Sequence, residues 1–150
     1  MTYTIRPYDD SDVDAVLSAW ENASTIGHPF LSDDFMVQER KNMVELFLPN
    51  GELYVICTED GTVIGFLSMH DNEVGAIFVQ PDYHGTGAGR ALMDKAKSLH
   101  DELIVEVFEA NSVGRRFYEK AGFEYLSQYF HEETQQEMLR LRYKPKKDTV

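Results

Sequence analysis

The residues with the clearest chemical signature form one run, Ile77-Phe78-Val79-Gln80-Pro81-Asp82-Tyr83-His84-Gly85-Thr86-Gly87-Ala88-Gly89-Arg90, in which three alternate glycines separate a β-rich apolar stretch from a helical pattern. Glycines let a ligand approach the backbone without Cβ clashes, and a helix N-terminus offers unpaired N–H groups and the positive end of its dipole. The combination is an anion cradle suited to phosphate. The same glycines would also serve as a turn that lets strand and helix pack closely, and on the glycines alone both readings stand. Spacing removes two other phosphate loops. A P-loop requires Lys and then Ser or Thr after its last glycine, whereas Gly89 is followed by Arg90 and Ala91. A dinucleotide fingerprint requires a glycine at the position of Arg90 and normally follows the first strand of a parallel unit.

Such a loop acts only if its flanking elements hold it. Tyr3 to Pro7 alternates as a strand, and Ser11 is the expected N-cap of a helix from Asp12 to about Ala23 with Asp14 in its first turn. Thr25 to Leu31 (TIGHPFL) reads as a loop with polar and aromatic groups, among them His28 and Phe30. Ser32 is a second N-cap, and the spacing of Phe35, Met36, Val37, Met43, Val44 and Phe47 predicts another helix that Pro49 stops. Leu53 to Thr58 and Val63 to His70 read as strands joined around Asp60-Gly61, and Glu73 to Gln80 follows a short turn. The glycine loop opens a helix bearing Ala91, Leu92, Ala96 and Leu99, and Leu103 to Phe108 is the next strand. Strand, helix, strand in that order demands a right-handed crossover and a parallel pair. Asn111 or Ser112 starts a helix to about Ala121, Gly122 fits its C′ position, and strands near Glu124 to Phe130 and Glu137 to Tyr143 follow. The fold class is α+β: a mixed sheet of about seven strands, mostly antiparallel with one parallel pair, flanked by about four helices.

Composition narrows the function. With 150 residues, 43% hydrophobic and 27% charged, the chain has the make-up of one globular domain spanning residues 1–150. No apolar run reaches the ~20 residues of a membrane span and no signal-peptide core opens the chain, so a cytoplasmic location is expected. The single cysteine, Cys57, lies in LYVIC and reads as a core residue. A net charge of −12 repels a nucleic-acid backbone, and the only basic run is Lys144 to Lys147. That charge would draw a cationic acceptor, although an acidic surface also serves solubility alone.

The glycine run, in the portion His84-Gly85-Thr86-Gly87-Ala88-Gly89, resembles the Q/R-x-x-G-x-G/A pyrophosphate loop of the GCN5-related N-acetyltransferase family, with His84 replacing the usual Gln or Arg. A second stretch, Asn111-Ser-Val-Gly114-Arg-Arg-Phe117-Tyr118-Glu-Lys-Ala-Gly122-Phe123, is similar to that family's N-x-x-A-x-x-F-Y-x-x-x-G-F helix, with Gly114 in place of Ala. The order of elements agrees from Tyr3 to Tyr143, and His28 to Leu31 is similar to a His-x-Phe-Leu stretch of small bacterial single-domain members.

The resemblance implies a splayed parallel pair that receives acetyl-coenzyme A, and direct transfer of its acetyl group to the amine of a small molecule or peptide. It implies pyrophosphate contacts from amides around Gly85, Gly87, Ala88, Gly89 and Arg90, pantetheine running along Phe78 and Val79, and an oxyanion contact from an amide near Val79. Tyr118 stands where the family carries its general acid, with a packed aromatic as the alternative. Asn111 either bonds pantetheine or caps its helix. Glu73 aligns with a base of some members or is a solvated strand end, and His28, His70 and Glu109 are weaker base candidates. His28 and Phe30 are also candidate acceptor contacts. Arg90, Arg115 and Arg116 are either phosphate contacts or surface charge. No metal, nucleic acid or membrane is implied, and a monomer or homodimer is expected. The rival reading is an acyl-CoA-binding sensor without turnover.

Overall fold

Strand signals dominate the chain from Leu53 to Gln80 and again after Glu124, and the computed structural model, which describes residues 2–145, joins them into one seven-stranded sheet. The strands are β1 (Thr4–Pro7), β2 (Glu52–Cys57), β3 (Val63–His70), β4 (Glu73–Val79), β5 (Leu103–Phe108), β6 (Glu124–His131) and β7 (Gln136–Tyr143), in spatial order β1-β2-β3-β4-β5-β7-β6. Neighbours are antiparallel except β4 and β5, the expected parallel pair. Five helices flank the sheet: α1 (Val13–Gly27), α2 (Asp33–Asn42), the short α3 (Leu48–Asn50), α4 (Ala88–Leu99) and α5 (Ser112–Lys120).

The apolar residues sort to two sides of the sheet. On one side α4 contributes Ala88, Leu92, Met93 and Ala96 to a core with Val74, Val79, Val105, Val107, Leu139 and Tyr118. On the other, α1 places Val16, Leu17 and Trp20 over Leu53, Val55, Phe66 and Cys57, which is buried as its apolar setting predicts. This second layer covers β2 and β3 and leaves the same face of β5, β7 and β6 open, with β6 exposed along almost its whole length.

Several boundaries differ from expectation. Asp9, not Ser11, caps the first helical turn: its carboxylate accepts from the Ser11 N–H at 3.0 Å, while Asp12 accepts from the Asp9 N–H at 2.9 Å. The two carboxylates complete a reciprocal capping box that a serine at position 11 stands too late to form. Helix α1 continues through Thr25 to Gly27, which shortens the expected loop to His28–Leu31. In the next region α2 buries none of its residues, a π-helical stretch follows at Met43–Phe47, and the chain remains helical through Pro49, which sits where that stretch passes into α3. Val37, Val44 and Phe47 are exposed. The basic run extends beyond the structure: Lys146 and Lys147 lie outside the described residues.

Candidate active site

The parallel pair is the key to the site. Only Glu73 with Ile104 and Val74 with Val105 are in register; beyond them β4 and β5 diverge. The change begins at Gly75, which the β3 register skips as Ser68 pairs with Ala76 and Met69 with Val74. A bulge of this kind bends the strand away from its neighbour. A glycine suits it, because a Cβ at position 75 would sit 2.7 Å from His70 Cδ2. Past the bulge, half of the β4 backbone N–H and C=O groups between Ala76 and Val79 face a notch instead of β5.

The glycine loop closes one end of this notch. Gly85 and Gly87 have φ of +77° and +94°, and a Cβ at either would meet nothing within 4 Å, so their open side is free to receive a ligand. Gly87 is the N-cap of α4, which leaves the N–H groups of its first turn, Ala88 to Arg90, pointing out of the helix end. Hydrogen bonds hold the loop: Tyr3 Oη and Thr86 Oγ1 are 2.6 Å apart, and the His84 ring Nε2 donates to the Val79 carbonyl at 2.8 Å. His84, which breaks the family pattern, thus ties the loop to the end of β4. Gly89 has a different reason to lack a side chain, since its Cβ would lie 3.0 Å from Phe117 of α5. Ala88 is fully buried, so only its N–H faces the cradle, and Arg90 is exposed.

Helix α5 begins on Asn111, whose side-chain Oδ1 accepts from the Gly114 N–H at 2.9 Å, the capping alternative of the sequence reading. Two turns on, Tyr118 is the only buried residue of the helix, with ring centroids 5.4 Å from Phe117 and 5.5 Å from Phe123. Burial raises the Tyr118 pKa, so its phenol holds its proton throughout the physiological range. Among the described residues no protein group hydrogen-bonds the Tyr118 hydroxyl.

On the opposite face of the sheet, His28 and Phe30 reach the ends of the splayed strands. The His28 ring lies 5.2 Å from Phe108 and 6.3 Å from Phe78, and Phe30 lies 5.3 Å from Phe108. Burial lowers the His28 pKa to about 4. Partnered residues of neighbouring strands project from one face, so Glu73, Ile104, Glu106 and Arg140 share this side. Glu73 stands at the closed end of the notch. Glu106 is the residue that sequence reasoning missed. One of its carboxylate oxygens is 3.7 Å from Arg140, and the other is buried without a hydrogen-bond partner among the described residues. Burial, and then Glu106 itself, push the neighbouring Tyr129 phenol up to about 12. A charge inside the apolar strand LIVEVF was the available signal. His70, the last residue of β3, is paired with Glu73 and stands beside it on this face, whereas Glu109, Arg115 and Arg116 do not join the constellation: Arg115 Nη1 instead donates to the Glu109 carbonyl at 3.1 Å. Among the described residues no group of three or more His, Cys, Asp or Glu could hold a metal ion, and no helix is long and apolar enough to cross a membrane.

Comparison with known proteins agrees with this geometry. A family model described as an acetyltransferase (GNAT) domain matches residues 49–125. The peptidyl-lysine N-acetyltransferase YjaB of Escherichia coli is 32% identical over 123 residues, covering 82% of this chain and 83% of that protein. Its apo-form solution structure has a TM-score of 0.86 with 28% identity over 95% of this chain and 98% of its own. The peptidyl-lysine N-acetyltransferase YiaC of Escherichia coli is 31% identical over 132 residues, covering 87% and 90% of the two chains. A PaiA N-acetyltransferase from Thermoplasma acidophilum, solved in complex with coenzyme A, shares the fold with a TM-score of 0.70, 22% identity and coverage of 97% and 100%.

Proposed function

The chain belongs to the GCN5-related N-acetyltransferase (GNAT) family, and from that premise we propose that it transfers the acetyl group of acetyl-coenzyme A to the ε-amine of lysine in a peptide or protein. The observation that carries this reading is the notch: β4 and β5 part after two registered pairs, and the opening leads to the unpaired amides at the start of α4. A slot lined by a strand edge and closed by an anion cradle suits a long donor with a polyphosphate at one end. The relatives' printed activity on peptidyl-lysine supports the acceptor class.

In this reading the Gly85, Gly87, Ala88, Gly89 and Arg90 amides hold the pyrophosphate, and Phe78 and Val79 line the pantetheine arm. A β4 amide near Val79 stabilises the oxyanion as the amine nitrogen attacks the thioester carbon. The carbon–sulfur bond then breaks, Tyr118 gives its proton to the departing thiolate, and the products are an acetamide and free thiol. The protonated amine must lose a proton before attack. Glu73 and Glu106, on the open face beside the notch, are the carboxylates available to draw in a lysine ammonium and take that proton, directly or through water.

The test is an acetyl-CoA-dependent assay over lysine peptides and small amines, reading both free thiol and acetylated product. Acetyl-lysine formation with stoichiometric thiol supports the proposal. Tight binding of acetyl-CoA with no product on any amine would leave the sensor reading in its place.

A further inference from the structure

Asn111 has a second bond besides its cap. While its Oδ1 accepts from Gly114, its Nδ2 lies 3.2 Å from His28 Nε2, joining residues 83 positions apart. An amide nitrogen only donates, so the imidazole accepts at Nε2 and carries its proton on Nδ1. The backbone around this contact is built to its dimensions. A Cβ at Gly27 would stand 3.2 Å from Asn111 Oδ1, and a Cβ at Gly114 would stand 2.5 Å from Asn111 Nδ2. Gly114 is also where the second motif departs from alanine, and an alanine there would expel the amide from its present place.

Each end of the link leads to the site. His28 terminates α1 and packs edge-on against Phe108 and Phe78 at the tips of the two splayed strands. Asn111 starts α5, a helix of nine residues in which Tyr118 alone is buried. So short a helix is oriented mainly by its two anchors, the cap at one end and Tyr118 about 10 Å further along its axis. The geometry points to His28 as a positioning residue of the transfer reaction: by accepting from Asn111 it sets the cap of α5 and, through that helix, the direction of the Tyr118 hydroxyl. Burial, which keeps the imidazole neutral above pH about 4, maintains the acceptor. The inference rests on the acetyltransferase reading above, in which Tyr118 meets the sulfur.

The test has two arms. Imidazole nitrogen-15 shifts near neutral pH are expected to show His28 unprotonated at Nε2 and protonated at Nδ1, and a protonated Nε2 overturns the link whatever the activity. In kinetics with a lysine peptide, His28→Phe keeps a ring but removes the acceptor, and a small misalignment of the acid is expected to lower kcat about tenfold. KM for acetyl-CoA stays within about twofold, since an interaction specific to the transition state leaves ground-state binding alone. His28→Gln, whose amide oxygen can accept, recovers most of the loss. Asn111→Ser keeps a good N-cap without the NH2 group and reproduces the loss, and the two losses do not multiply in the double variant because they break one bond. Wild-type kcat in His28→Phe, no recovery with Gln, or full multiplication of the losses overturns the positioning role alone. A wild-type protein that acetylates no amine overturns it together with the acetyltransferase reading.

Discussion

Tyr118 is held in its protonated form by the hydrophobic core itself. Burial disfavours phenolate, and the rings of Phe117 and Phe123 fix the phenol in place. Tyr118→Phe preserves this packing and removes only the hydroxyl. Its kcat is expected to fall about 100-fold, the low end for general-acid assistance, with acetyl-CoA affinity unchanged in a binding titration; wild-type turnover would remove the acid role. His28 supplies a pH signature at the same scale. Its pKa moves from 6.5 to about 4 on folding, so the unfolded chain binds the extra proton first. Stability from this group is present above pH 6.5, falls as pH drops toward 4, and levels off below. The whole shift corresponds to a loss of about 3 kcal/mol. Because carboxylates titrate in the same range, the measurement is the difference in melting temperature between wild type and His28→Phe at pH 7 and pH 4.5; a constant difference would contradict the buried neutral imidazole.

At the scale of elements, the notch and the cradle arise from separate devices that happen to meet. The bulge at Gly75 turns β4 away from β5, while left-handed Gly87 starts α4 with its free amides toward the gap. In the proposed donor complex the α4 dipole and Arg90 would act on the same anion. Arg90→Glu reverses a charge at an exposed position, so the free protein's melting temperature should hold while the acetyl-CoA dissociation constant rises about tenfold. An unchanged constant would place the phosphates elsewhere. Gly89→Val is a poorer probe of the cradle, because its side chain would strike Phe117 and loosen α5 against α4 before any ligand arrived.

For the whole molecule, a net charge of −12 combines with an open sheet face carrying Glu73 and Glu106. Arg90, Arg115 and Arg116 lie on α4 and α5, on the other side of the sheet. On the proposed function, a cationic acceptor and an anionic donor would meet different surfaces. Acetyl-CoA at 100 times its dissociation constant should stabilise the fold by about 2.7 kcal/mol, seen as a raised melting temperature, with NAD and ATP giving much smaller shifts. A larger shift with a nucleotide would mean the cradle holds a different ligand. Raising salt should increase KM for lysine peptides through screening of long-range attraction, and a salt-independent KM would confine the acidic surface to solubility.

What could be read along the chain was whatever depends on neighbours in sequence. The glycine spacing marks the turn from β4 into α4, β-rich runs separated by Asp60-Gly61 and a short turn mark β2 to β4, and Asn111 marks a helix start, because φ/ψ preference, β-propensity and capping are local properties. Tertiary structure decided the rest. Local signals placed a cap on Ser11, but Asp9 and Asp12 close that turn reciprocally; apolar spacing predicted a helix that Pro49 stops, but the chain stays helical through Pro49 and leaves Val37 and Val44 exposed. Glu106 stands out in sequence only as a charge within an apolar strand, and the registers of β4, β5 and β7 are what set it beside Glu73 on the uncovered face. The pairing of His28 with Asn111 spans 83 residues. Contacts at such separation depend on how α1 and α5 pack at the two splayed strand ends, and no periodicity within either segment encodes that distance.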